Sequence, residues 1–135
     1  MKGLLAEKLF DAECTRRKIK TLKPTDPKSK YDIAIDIEGK IFKVQIKSTS
    51  YFIKRKDPKI RYGVKLVPSA SNRLYLKSEV DLFAIYIEPL NIWYLIPYDN
   101  IGEKKRVTLY PYDTSSLYDP YQNAWYILDS LGEGE

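Results

Sequence analysis

A chain of 135 residues that is 44% hydrophobic carries enough apolar material for one core, and residues 1–135 are read as a single domain. Lys and Arg number 23 against 18 Asp and Glu, giving a formal charge of +5 and a sequence pI near 9.1, a balance that favours an anionic partner. With no His and a single Cys, Ser-His and Cys-His nucleophilic units, His-containing zinc sites and an internal disulfide are excluded, which leaves acid, Lys and metal chemistry.

Residues 2–17 lack Pro and hold Leu4, Leu5, Leu9, Phe10 and Ala12 at helical spacing, which predicts an amphipathic N-terminal helix. Glu7 is expected to project between Leu4, Phe10 and Cys14 on that helix. A carboxylate inside an apolar stripe is rarely left unpaired, so Glu7 should meet Lys47, a metal-bound water or a neighbouring basic group. Residues 18–22 predict a short strand, and residues 24–30, with two Pro and mixed charges, predict a loop.

The stretch YDIAIDIEGKIFKVQIKS, residues 31–48, carries the chemistry. Ile33, Ile35 and Ile37 alternate with Asp32, Ala34 and Asp36, and Phe42, Val44 and Ile46 alternate with Lys43, Gln45 and Lys47. That is the period of two half-buried strands, with Glu38, Gly39 and Lys40 supplying the turn. A reversal about Gly39 is expected to set Asp32 opposite Ile46 or Lys47, and so beside Gln45 and Lys47 on the polar face, about 5 Å across the strands. One carboxylate there can hold Mg²⁺, which takes oxygen ligands and keeps several waters, with the Gln45 side-chain oxygen and the Ile46 carbonyl completing the protein's share. Lys47 is a cation placed to stabilise transition-state charge or to orient an attacking water, and the set points to a metal-dependent phosphodiesterase. The competing reading is an exposed strand face whose Asp and Lys form an ordinary surface pair.

Beyond this hairpin the segment KRKDPKIR, residues 54–61, gathers Lys54, Arg55, Lys56, Lys59 and Arg61 around an Asp57-Pro58 turn. These five cations can grip phosphates beside a cleavage site, or can form a solvated hairpin tip. Residues 82–87 and 92–96 predict a second, apolar hairpin in which Trp93 and Tyr94 pack in the core, and residues 107–110 predict an edge strand. Asp119, Pro120 and Gln122 read as the N-cap, first-turn Pro and capping-box residue of a final helix running to about Leu131. No apolar run approaches the ~20 residues that span a bilayer, and with one Cys a soluble cytoplasmic protein is expected.

Glu7 on a first helix, then Tyr31-Asp32, then Val44-Gln45-Ile46-Lys47 with Ser48 and Thr49, resembles the PD-(D/E)XK nuclease superfamily. The nearest resemblance is to a branch of small enzymes related to group I intron homing endonucleases, which tolerates Gln in the triplet, and residues 80–97 resemble that branch's downstream hairpin. The resemblance implies an α/β, restriction-endonuclease-like core: a mixed central sheet with an N-terminal helix, a β-hairpin extension and a C-terminal helix. It further implies a DNA endonuclease using Mg²⁺ or Mn²⁺, with Glu7, Asp32, Gln45 and Lys47 catalytic and Asp32, Gln45 and Ile46 at the metal. Cutting both strands calls for two sites, hence a homodimer or homotetramer. A four-way (Holliday) junction resolvase and a non-catalytic DNA-binding module on the same fold are the alternatives. Gln45 departs from the usual acid and removes a negative charge from the metal site, so metal affinity is expected to fall.

Overall fold

The computed structural model describes residues 2–68, 73–101 and 103–133. Helix α1 (Lys2–Arg16) leads into strands β1 (Lys20–Leu22), β2 (Ile33–Ile37), β3 (Lys40–Thr49), β4 (Tyr62–Lys65), β5 (Leu82–Ile87), β6 (Ile92–Pro97) and β7 (Arg106–Leu109), followed by the short helix α2 (Tyr126–Ser130). Five strands form a mixed sheet in the order β1-β2-β3-β5-β6, in which β3 and β5 run parallel and the other pairs antiparallel. Strands β4 and β7 pair separately as an antiparallel ribbon. This is the α/β restriction-endonuclease-like architecture that the sequence led us to expect.

Strand composition explains the layering. Every residue of β5 is buried, as are the first five of β6, the continuous apolar pattern of strands covered on both faces. On one face Phe10 and Cys14 of α1 and Leu128 of α2 pack against Ile33, Val44 and Leu95. On the other face the ribbon residues Val64, Val107 and Leu109 pack against Phe83, Ile85 and Tyr94. Trp93 and Tyr94 are core residues, as their place in an apolar strand predicts.

Three local expectations need correction. The β2–β3 turn contains two residues, Glu38 and Gly39, both at positive φ (53° and 89°), and the Gly39 N–H donates to Asp36 Oδ1 at 2.8 Å. This tight turn matches the twist of the flanking strands and pairs Ile37 with Lys40 and Ile33 with Val44, one to two residues tighter than expected. The register therefore carries Asp32 toward Gln45 rather than opposite Ile46 or Lys47.

The buried stripe of α1 is Ala6, Phe10 and Cys14, spaced by four, whereas Leu4 is 48% exposed and Glu7 lies half-buried at the stripe's edge. The C-terminal segment is not one helix from Asp119. It forms a 3-10 turn at Asp119–Tyr121 with no side-chain cap, extends at Gln122, and becomes helical again in α2. The diversion serves the edge of the sheet: Asn123 accepts the Trp93 N–H at its Oδ1 (2.9 Å) and donates its own N–H to the Trp93 carbonyl (2.6 Å). Unpaired edge groups demand such partners, and they outweigh local helix signals here.

Phe10 lies between Trp93 and Trp125, with ring centroids at 5.9 and 5.8 Å and no exposed surface. Phe10→Ala is expected to cost about 3–5 kcal/mol in urea unfolding, while Leu4→Ala stays within about 0.5 kcal/mol of wild type. Similar losses for both would overturn the helix-face assignment.

Candidate active site

The site forms where β2 ends and β3 continues. Asp32, one residue before β2, donates its N–H to the Val44 carbonyl at 2.9 Å, the last backbone bond on that side of β3. Backbone groups of alternate strand residues point the same way, so the N–H and carbonyl of Ile46 face an edge with no strand beside it. The Asp32 carboxylate fills that gap: its Oδ2 accepts the Ile46 N–H at 2.8 Å and the Gln45 Nε2 at 2.9 Å. Gln45 Nε2 also donates to the Ile46 carbonyl at 3.3 Å. Asp32 Oδ1 takes no hydrogen bond from the described residues.

Gln45 and Lys47 share one face of β3. Lys47 Nζ donates to the Val67 carbonyl at 3.0 Å and stands 5.2 Å from the Tyr75 ring centroid. Burial pushes the Asp32 carboxyl above the usual aspartate range and the Glu7 charge adds to the rise, while the Ile46 N–H bond and the charges of Lys47 and Lys23 oppose it. Burial likewise holds Lys47 below the usual lysine range, against the pull of Asp32. A carboxyl and an ammonium displaced toward each other in this way mark a group of residues suited to proton and charge work.

Thus Asp32, Gln45, Ile46 and Lys47 come together, and Glu7 lies close enough on α1 for its charge to act on Asp32. The basic segment is divided. Lys54, Arg55, Lys56 and Lys59 are exposed, with Lys59 Nζ 3.5 Å from Asp113. Arg61 is buried, donates to Asp57 at 2.6 Å and places its guanidinium 5.4 Å from the Tyr110 ring centroid, so it braces the loop from beneath. Sequence reading missed Tyr75 and the Val67 carbonyl, the two groups that hold Lys47. Tyr75 is buried and edge-on to Phe83, and burial followed by the Asp32 charge pushes its phenol up to about 12. No periodic pattern around residue 75 distinguishes it among the twelve Tyr of the chain.

Among the described residues no group of three or more His, Cys, Asp or Glu side chains is gathered as for a metal ion. The oxygen donors at the β2–β3 edge nevertheless fit a hard cation. The Gln45 amide nitrogen sits between Asp32 Oδ2 and the Ile46 carbonyl, a position where two oxygens converge on positive charge, and half a turn of the amide presents Oε1 instead.

A carboxylate just before one strand, an amide and a lysine on the adjoining strand of a mixed sheet, and a helical acid beside them sit within a fold of the restriction-endonuclease-like class. A family model described as PD-(D/E)XK endonuclease matches residues 1–116, and the chain belongs to that family. Its fold is similar to the solved structure of a bacterial homing endonuclease, I-Ssp6803I, with a TM-score of 0.75 and 25% identity over 98% of this chain and 91% of that one. No curated protein matches it. No helix among the described residues is long and apolar enough to cross a membrane.

A carboxyl whose folded-state pKa lies above its unfolded one binds its proton more tightly when folded, so its contribution to stability falls as pH rises through that window. Asp32→Asn keeps an oxygen for the Ile46 N–H and removes the charge. In EDTA it is expected to raise the thermal midpoint at neutral pH, with the gain vanishing as pH falls below the ordinary aspartate range. Calorimetry across pH checks this, and an unchanged neutral midpoint would mean that Asp32 is not strained by burial.

Proposed function

We propose that this member of the family is a Mg²⁺-dependent DNA endonuclease, site-specific in the manner of a homing endonuclease, with residues 1–135 acting as one nuclease domain in a homodimer or homotetramer. The observation that supports this most is the convergence of Asp32, Gln45 and the Ile46 carbonyl on one point beside Lys47. Asp32, the Ile46 carbonyl and the rotated Gln45 oxygen would hold Mg²⁺ or Mn²⁺. When bound, the ion supplies a lowered pKa for water and charge compensation at the phosphodiester. Lys47, released from the Val67 carbonyl, orients the attacking water or meets the charge that develops on the phosphate. Glu7 adds a second negative charge near Asp32 and can accept a proton from ordered water. The exposed cations Lys54, Arg55, Lys56 and Lys59 hold phosphates of the duplex, with Arg61 supporting their loop through Asp57.

One observation favours a second reading, a DNA-binding module without catalysis: an amide stands at residue 45 and donates its Nε2 to Asp32 Oδ2 where an acid would add a metal ligand. Sequencing the ends released from a randomised duplex pool and from a four-way junction, with Mn²⁺ present, separates these readings. Wild type is expected to give defined ends, and Asp32→Ala or Lys47→Ala to reduce them by at least about 100-fold. Cutting confined to the junction would point to a resolvase, and binding of both substrates without cutting would leave the non-catalytic module. Gln45→Glu restores a carboxylate and is expected to tighten Mn²⁺ binding in calorimetric titration. Unchanged affinity would remove residue 45 from the metal site.

A further inference from the structure

Beside the site, past Lys47, a cavity of about 710 Å³ opens between the C-terminal end of β3 and the β4–β7 ribbon. Its lining includes Lys47, Ser48, Tyr51, Lys65, Val67 and Arg106, and no carboxylate among the described residues. Lys65 and Arg106 are direct cross-strand partners in the ribbon and both are exposed. Like charges placed directly opposite each other weaken a strand pair, so this arrangement opposes the ribbon's own stability. No ion pair among the described residues relieves it: the salt bridges of the structure involve other cations. The side chains flanking them in the strands, Val64 and Val107, point into the core, so the two cations share the ribbon's outer face.

We propose that this cavity is a phosphate-binding subsite that takes one backbone phosphodiester of the nucleic acid strand next to the scissile bond, bridged by Lys65 and Arg106. The proposal rests on the nuclease reading and deepens it. A single phosphate between the two cations converts a destabilising like-charge pair into a three-body attraction. Arg106 supplies a planar fork of donors to the phosphate oxygens and Lys65 a point charge. The shared wall with Lys47 puts the subsite beside the reacting phosphate, so a strand seated there is held in register with the Asp32 edge. Lys54, Arg55 and Lys56 lie on a different loop and do not line this cavity.

The test uses the full chain and a labelled DNA duplex of arbitrary sequence in EDTA, with anisotropy followed across a sodium chloride series. Non-specific affinity is dominated by phosphate contacts, so the slope of log affinity against log salt counts them. Lys65→Gln combined with Arg106→Gln is expected to make that slope shallower by about 1, the share of one phosphate, whereas Lys8→Gln, on the exposed side of α1, leaves it unchanged. Arg106→Glu alone sets an acid opposite Lys65 and is expected to raise the free protein's thermal midpoint while weakening DNA binding. A double variant that matches wild type and Lys8→Gln in slope overturns the proposal. Cleavage in Mg²⁺ separates the two claims. A shallower slope in a protein that never cuts sinks the nuclease reading and leaves the phosphate subsite, and efficient cutting with an unchanged slope does the reverse.

Discussion

The backbone of Ile46 is the point on which the site depends. Strand β3 pairs with β2 only as far as Val44 and with β5 from Val44 to Thr49, so its second half has one neighbour where its first half has another. A half-buried N–H and carbonyl on the vacated edge must find partners or cost the fold roughly 1–3 kcal/mol each. Asp32 supplies the acceptor and Gln45 the donor. The carboxylate is therefore fixed by the same need that ends the β2 ladder. The anchoring uses Oδ2 alone, so Oδ1 keeps its accepting capacity.

Rigidity around that point comes from the two cores. The fully buried β5 lies directly beside Gln45 and Lys47, through Phe83 and Ile85, so the face that carries the polar pair is backed by packed side chains. Thr49 then ties the end of β3 to the ribbon by donating to the Gly63 carbonyl at 2.6 Å. Against this frame Lys47 is the adjustable member. Its ammonium is held by one carbonyl and the face of one aromatic ring, interactions that a phosphate or a water can replace without disturbing the strand. A fixed carboxylate paired with an exchangeable cation suits a site that must admit a polyanion before it reacts.

The hairpins and the apolar strands were legible because alternation is a local signal, and residues 82–97 could hardly be anything but buried strands. The register of β2 on β3 differs from the expected one by one to two residues because it depends on how many residues the turn holds, and a Glu-Gly-Lys sequence allows more than one length. The polar grouping survives that difference since Asp32 and Gln45 remain neighbours in the tighter register. What the sequence could not convey were demands made at a distance. Asn123 leaves the helical path because edge strand β6 needs a partner, and Arg61 turns inward although its neighbours in the charge run face water. Tyr75 becomes the support of Lys47 only when the fold brings the residues after β4 back to β3. The pairing of β4 with β7 joins residues more than forty apart, so the Lys65–Arg106 juxtaposition has no local signature at all.

Gln45 also has a meaning beyond the loss of a charge. With an acid at that position, Asp32 and its neighbour would form a carboxylate pair sharing one edge, with Glu7 adding a third charge, and burial already raises Asp32. Like charges in a desolvated site push one another toward protonation, so such a triad is compact only when a cation or protons occupy it. An amide avoids that conflict. Its NH₂ takes the place of positive charge between Asp32 Oδ2 and the Ile46 carbonyl. The same amide offers an oxygen on rotation, at the expense of the two hydrogen bonds it gives up. The edge of β3 is satisfied by a neutral group, where an acid would add to the charge already crowded around Asp32.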